Sequence, residues 1–301
     1  MYPCGTVLVG RSPRRRWPGS MPTWRCAPSA PGPRHALQRS EYPDMCMRLI
    51  ALAVALLSAA ACTPETTGGP PPTGRETAVA AAPANGIVPA GRWRAVLIAG
   101  DNNSPAFDNG VQSLREKLMA HGVRDIAVYS SAARRAASAE LASVANVAAA
   151  LRAGGGDACF VFVTSHGERT GFVLKTDRRL FDPGSLDRVL SVGCGSVPTV
   201  VVVSACHSGT FLSPGMLKPN RVILTAAATD RASFGCGAGD QYTYYDQCLL
   251  QQFDGAATWR DLAVATRACV EGLERRMGVQ PPSQPQMFFG AQVRELRLPS
   301  R

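Results

Sequence analysis

Histidine is scarce in this sequence, with four residues in 301, and neither a Cys-x-x-Cys pair nor a His-Glu-x-x-His run occurs in it. Those spacings hold zinc in structural and hydrolytic centres, so no metal site is expected and no cofactor is implied. Aromatic residues make up only 7% of the chain, and its cations form no lysine-rich patch. The formal net charge is +10, yet half of it comes from residues 1–44, where seven arginines face two acids. The remainder is dispersed, as on an ordinary solvated surface. Without clustered cations beside stacking aromatics, a nucleic-acid partner is not expected. Long hydrophobic runs are missing too: the stretch around residues 49–57 falls short of the roughly 20 residues a membrane-spanning helix needs. The triplet Gly154-Gly155-Gly156 lacks the lysine and serine of a phosphate-binding loop and precedes a strand pattern, so it reads as a turn.

What is present is an apolar content of 46% with 18% charged residues, enough for a substantial globular core. Residues 1–44 are rich in arginine and proline, have no helical or strand period, and are expected to be unstructured. Residues 45–62 follow a secretory-signal pattern: Arg48, an apolar segment, then small residues. Because the basic part of such a signal belongs at the very N-terminus, translation is expected to begin at Met45 or Met47; a genuinely long leader is the alternative. The segment ends in Ser58-Ala59-Ala60-Ala61-Cys62, similar to a bacterial lipobox, in which the cysteine is diacylated. Ordinary cleavage after an alanine is the other reading. Thr63 rather than an aspartate follows, which for such lipoproteins implies an outer-membrane anchor facing the periplasm. Residues 63–90, rich in proline, glycine and alanine, form a tether, leaving 91–301 as the folded domain.

Within that domain, four consecutive valines at 200–203 stop at Ser204-Ala205-Cys206. β-branched residues favour extended backbone, and an apolar run without alternation points to a strand buried on both faces of a parallel sheet. Cys206 then lies just past its carboxyl end, where open α/β sheets bind ligands. Residues 158–164 read as a second buried strand, followed at once by Ser165-His166-Gly167. Between the two, Asp182 and Pro183 can start a helix with Leu186, Val189 and Leu190 on one face. Strand, helix, strand makes the strands parallel, so His166 and Cys206 should emerge at one edge. A thiolate is the nucleophile, and an adjacent imidazole can take its proton or stabilise its charge. The backbone N–H groups of Gly167 and Cys206 could then hold the oxyanion formed on an attacked amide.

The stretches Thr164-Ser165-His166-Gly167 and Ser204-Ala205-Cys206-His207-Ser208-Gly209 resemble the histidine and cysteine motifs of caspase-type peptidases, most closely those of the legumain family. Three further landmarks follow the same order: Val96-Leu97-Ile98-Ala99-Gly100, then residues 222–236 from Val222 to Cys236, then Pro285-Gln286-Met287-Phe288-Phe289-Gly290. The resemblance spans about residues 92–292. It implies a cysteine endopeptidase with an α/β, caspase-like three-layer αβα sandwich, whose mostly parallel six-stranded sheet carries one antiparallel edge strand at 286–290. It also implies His166 and Cys206 as the catalytic dyad and a peptide or protein as substrate. The same dyad would serve transpeptidation, and a catalytically silent interaction module at the membrane is the non-enzymatic alternative.

Asp108 stands where legumain-like enzymes place the arginine of their primary specificity pocket. An acid there would favour a basic residue before the scissile bond; alternatively Asp108 caps a helix, although Ser104-Pro105 could also start it. Ser233 and Asp246 fall in the segment lining the family's substrate cleft, or serve as turn and cap residues. Elsewhere, Val111, Leu114 and Leu118 share one helical face, residues 136–152 read as a helix, and Thr258 starts a longer one. After Cys62 and Cys206, five cysteines remain in an exported chain. Cys159 is expected to be a buried thiol, and Cys236–Cys248 a possible disulfide.

Overall fold

The apolar, β-branched stretches of the chain assemble side by side at the centre of one sheet. A computed structural model describes residues 86–132 and 139–300. In chain order these form β1 (Trp93–Ala99), α1 (Pro105–Ala120), β2 (Asp125–Ser130), β3 (Glu140–Leu141), α2 (Val144–Ala153), β4 (Ala158–Thr164), β5 (Gly167–Glu168), β6 (Gly171–Leu174), β7 (Arg179–Phe181), α3 (Pro183–Gly193), β8 (Thr199–Ser204), β9 (Arg221–Thr225), α4 (Tyr244–Gln252), α5 (Trp259–Met277) and β10 (Gln286–Phe289). The expected leader, signal segment, Cys62 and most of the tether lie outside the described residues. Of the tether, residues 86–90 are described, and Val88 and Ala90 are buried. The Trp93 indole donates to the Val88 carbonyl, and Arg297 N–H donates to Gly86.

The large sheet has the order β10-β9-β8-β4-β1-β2-β3. Every neighbouring pair is parallel except β9 and β10. Six strands correspond to those expected, with the antiparallel one at the edge, and the two-residue β3 adds a seventh. That strand falls where sequence periodicity suggested helix from 136 onward. The helix starts later because Ser143 caps it, its side chain accepting the Asn146 N–H.

Alternation along the central strands splits the core into two layers, since successive side chains point to opposite faces. Leu97, Ala99, Phe160, Phe162, Val200 and Val202 pack against residues of α1, α4 and α5. Val96, Ile98, Val161, Val163, Val201 and Val203 pack against α2 and α3. The result is a helix–sheet–helix sandwich. On the second face, β5, β6 and β7 make a small antiparallel sheet, which periodicity did not reveal because each strand is four residues or fewer.

Between described residues, two disulfides fasten helices in this frame. Cys159 of β4 joins Cys194 at the end of α3, and Cys248 of α4 joins Cys269 of α5. Both expectations are corrected: Cys159 is not a thiol, and Cys248 pairs with Cys269 rather than Cys236. Side-chain direction decided this, because Cys159 faces the layer that α3 covers.

Candidate active site

The geometry of the site starts from strand register. Thr164 of β4 is level with Ser204 of β8, and the Ser165 N–H continues the ladder by donating to the Ser204 carbonyl at 3.1 Å. His166 and Cys206 therefore each lie two residues beyond a paired position, on adjacent strands roughly 5 Å apart. Close approach continues past the strands: a Cβ on Gly167 would come within 2.2 Å of the Cys206 carbonyl oxygen and 2.9 Å of the Ala205 side chain. Only a residue without a side chain fits there.

Cys206 is the one free cysteine among the described residues, and it is buried, with 5% of its surface exposed. Its sulfur accepts the Ser233 N–H at 3.2 Å and lies 3.6 Å from the Ser233 carbonyl. A thiol can satisfy both by donating to the carbonyl; a thiolate keeps the N–H as a charge-stabilising donor. Ser233 thus meets the sulfur through its backbone, while its hydroxyl is 3.9 Å away.

His166 is also buried, its ring meeting Phe107 of α1 edge-on at 5.2 Å between centroids. Burial is the main cause holding its imidazole below the ordinary histidine range; the Asp101 carboxylate pushes the other way, and the Lys175 ammonium adds to the lowering. The neutral ring, able to accept a proton, is thereby favoured at neutral pH.

Strand pairing also sets the surroundings of Gly167. Val173 N–H donates to the His166 carbonyl at 2.9 Å, so Gly167 and Phe172 face each other as a non-hydrogen-bonded pair of β5 and β6. Among the described residues no backbone carbonyl outside the ladders accepts the N–H of Gly167 or Cys206.

His207, next in the chain to Cys206, has left-handed backbone at φ 57°, and its Nδ1 lies 2.9 Å from the Thr229 carbonyl oxygen. Asp108 is in the first turn of α1, but Ser104 is the cap, accepting the Ala106 N–H. The capping reading of Asp108 is corrected: its carboxylate accepts the Ser130 hydroxyl at 2.5 Å and lines a cavity of about 630 Å³ with Asn102, Asn103, Asn109 and Gln112.

Asp246 is corrected as a cleft-lining group, because it is fully buried beneath the strand ends. It accepts the Thr164 hydroxyl at 2.6 Å, and its N–H is capped by Thr243, which in turn meets Ser204 at 3.3 Å. Burial pushes its carboxyl up to about 6 against the lowering effect of those hydroxyls. α4 is thereby stitched to the ends of both strands that lead to His166 and Cys206. Sequence reading missed Asp101 and Lys175; an acid immediately beyond the β1 glycine was the available signal.

An α/β sandwich with a buried thiol and an imidazole past adjacent parallel strand ends defines a site suited to acyl transfer through sulfur. Residues 138–266, which include both groups, match the family model of the Peptidase C13 family. This supports a cysteine peptidase, a hydrolase of peptide bonds. Among solved structures, the chain is similar to caspase-1 from Spodoptera frugiperda, at 15% identity over 66% of this chain and 86% of that one, with a TM-score of 0.48. No curated protein matches it.

Proposed function

We propose that the protein is a cysteine endopeptidase in which Cys206 attacks the peptide carbonyl and His166 takes the thiol proton. The observation carrying this reading is the register of Thr164 with Ser204, which makes the two groups neighbours at one level of the sheet. Attack forms a C–S bond and an oxyanion facing the Gly167 and Cys206 N–H groups. Collapse expels the amine, protonated by His166, and leaves a thioester; water activated by the same ring then releases the acid. A peptide or protein is the substrate. The cavity beside Asp108 supports a preference for Lys or Arg before the cleaved bond, through a carboxylate on a basic side chain.

Export suits the Cys159–Cys194 and Cys248–Cys269 disulfides, since disulfides persist in oxidising compartments, and lipidation of Cys62 would hold the enzyme at the outer membrane facing the periplasm. Intact-mass analysis of the mature N-terminus tests this; an unmodified Cys62 would remove the anchor.

The activity is tested by incubating the full-length protein and its Cys206→Ala variant with a mixed peptide library and locating cuts by mass spectrometry. Cysteine-dependent cuts after Lys or Arg, lost in Asp108→Asn, are expected. Cuts after other residues would keep the dyad and remove the Asp108 assignment. Products joined to an added amine in preference to water would make the enzyme a transpeptidase, and no cleavage by folded, reduced Cys206 would make it an interaction module.

A further inference from the structure

The dyad strands have a third neighbour at the same level. β1 lies beside β4, with Ala99 paired to Thr164 just as Thr164 is paired to Ser204. The Gly100 N–H extends that ladder to the Thr164 carbonyl at 3.0 Å. Asp101, His166 and Cys206 therefore each stand two residues past one row of paired positions, on three adjacent strands, in the order acid, imidazole, thiol. We propose that Asp101 is the positioning residue for His166, holding the imidazole in place and stabilising the imidazolium that forms when it takes the Cys206 proton. This rests on the dyad reading given above.

The carboxylate is fully buried and kept in a fixed orientation. It accepts the Asn103 N–H at 2.7 Å and the Asn103 side-chain amide at 3.2 Å, with the Lys175 ammonium 3.6 Å away. Lys175 is itself anchored by the side-chain oxygens of Asn102 and Asn103. A buried carboxylate next to an imidazole sets its orientation and stabilises its charged form, and Asp101 does raise the proton affinity of His166 while Lys175 lowers it. The other titratable groups near this row are Cys206, Asp246 of α4, which bonds Thr164 from below, and Asp108 of α1, which is turned to Ser130. The alternative role for Asp101 is to shape the turn before α1. Asparagine separates the two, because its side-chain oxygen still accepts the Asn103 N–H but carries no charge.

The test follows the rate at which iodoacetamide alkylates Cys206 in the full-length protein between pH 5 and 9, read on the Cys206 peptide by mass spectrometry. Without the carboxylate the imidazolium is less favoured, so less thiolate exists at low pH. Asp101→Asn should alkylate about tenfold more slowly at pH 6, one pH unit of displacement, and converge with the wild type near pH 9. Lys175→Gln should displace the profile the opposite way, which keeps the proposal testable should Asp101→Asn fail to fold. Both profiles superimposing on the wild type would overturn the inference. His166→Ala is the control on the dyad itself: if it too leaves the profile unchanged, the dyad reading fails, and if it alone shifts the profile, only the role of Asp101 falls.

Discussion

A methyl group on Gly167 would lie 2.2 Å from the carbonyl oxygen of Cys206. The strand ends carrying His166 and Cys206 are therefore in backbone contact, and the spacing of these two residues depends on a missing side chain. Gly167→Ala must push the two segments apart. Overpacking of this kind costs about 1–3 kcal/mol of stability, and a displacement near 1 Å between reacting groups costs about a hundredfold in rate. Turnover of a cleaved library peptide should fall by that order while the variant still folds; near-normal turnover would show that the loop yields without moving the dyad.

Ser233 touches the Cys206 sulfur through its amide. Since the N–H, at 3.2 Å, and not the hydroxyl, at 3.9 Å, addresses the sulfur, Ser233→Ala should keep most activity. A loss below about tenfold, the worth of one neutral hydrogen bond, is expected in kcat/KM. A much larger loss would transfer the role to the hydroxyl.

Asp246 makes stability depend on pH. Its folded value, about 6, is raised by burial above the ordinary 3.8. Well below pH 3.8 the group is protonated in both states and contributes no difference. As pH rises toward 6 the unfolded chain ionises first, so the folded state loses stability, and the deficit persists above 6. The full swing is about 3 kcal/mol. Asp246→Asn, which cannot ionise, should therefore gain relative to the wild type between pH 4 and 7 in urea unfolding with disulfides intact. A difference between the two proteins that does not change with pH would refute the shifted titration.

Arg221 presents the opposite case. Its side chain is 1% exposed and pairs with Asp187 of α3 at 2.8 Å, while Lys218 shares that carboxylate. Burial depresses the proton affinity of the guanidinium against the pull of Asp187. Removing one partner of a buried pair leaves an uncompensated charge and costs about 3–5 kcal/mol. Asp187→Ala should lower stability by this order, whereas Asp187→Asn, which can still accept a hydrogen bond, should lose less. Equal losses would mean that packing, and not charge, is what Asp187 supplies.

How far each feature could be read from the chain follows from the range of the interactions behind it. The strands β4 and β8 were legible because β-branched runs have a local preference for extended backbone, and His166 and Cys206 were legible as the polar residues directly beyond such runs. Helix starts at Asp182 and Thr258 were legible for the same reason, a cap acting within three residues, whereas at α1 the sequence left Asp108 and Ser104 as competing starts and the structure has Ser104. The start of α2 was misjudged because alanine-rich sequence carries a helical propensity that the strand pairing of Glu140 and Leu141 overrides. The β5–β7 sheet has strands too short to show a period.

Residue type and local pattern thus determined the mostly parallel core with its antiparallel edge strand, and placed His166 and Cys206 directly beyond two of its strands. Tertiary structure decided which cysteines pair, that Asp246 lies beneath the site and Ser233 against the sulfur, and that Asp101 shares a row with the dyad. Those outcomes depend on register and side-chain direction between segments tens of residues apart, where a shift of one residue would turn every side chain to the other face.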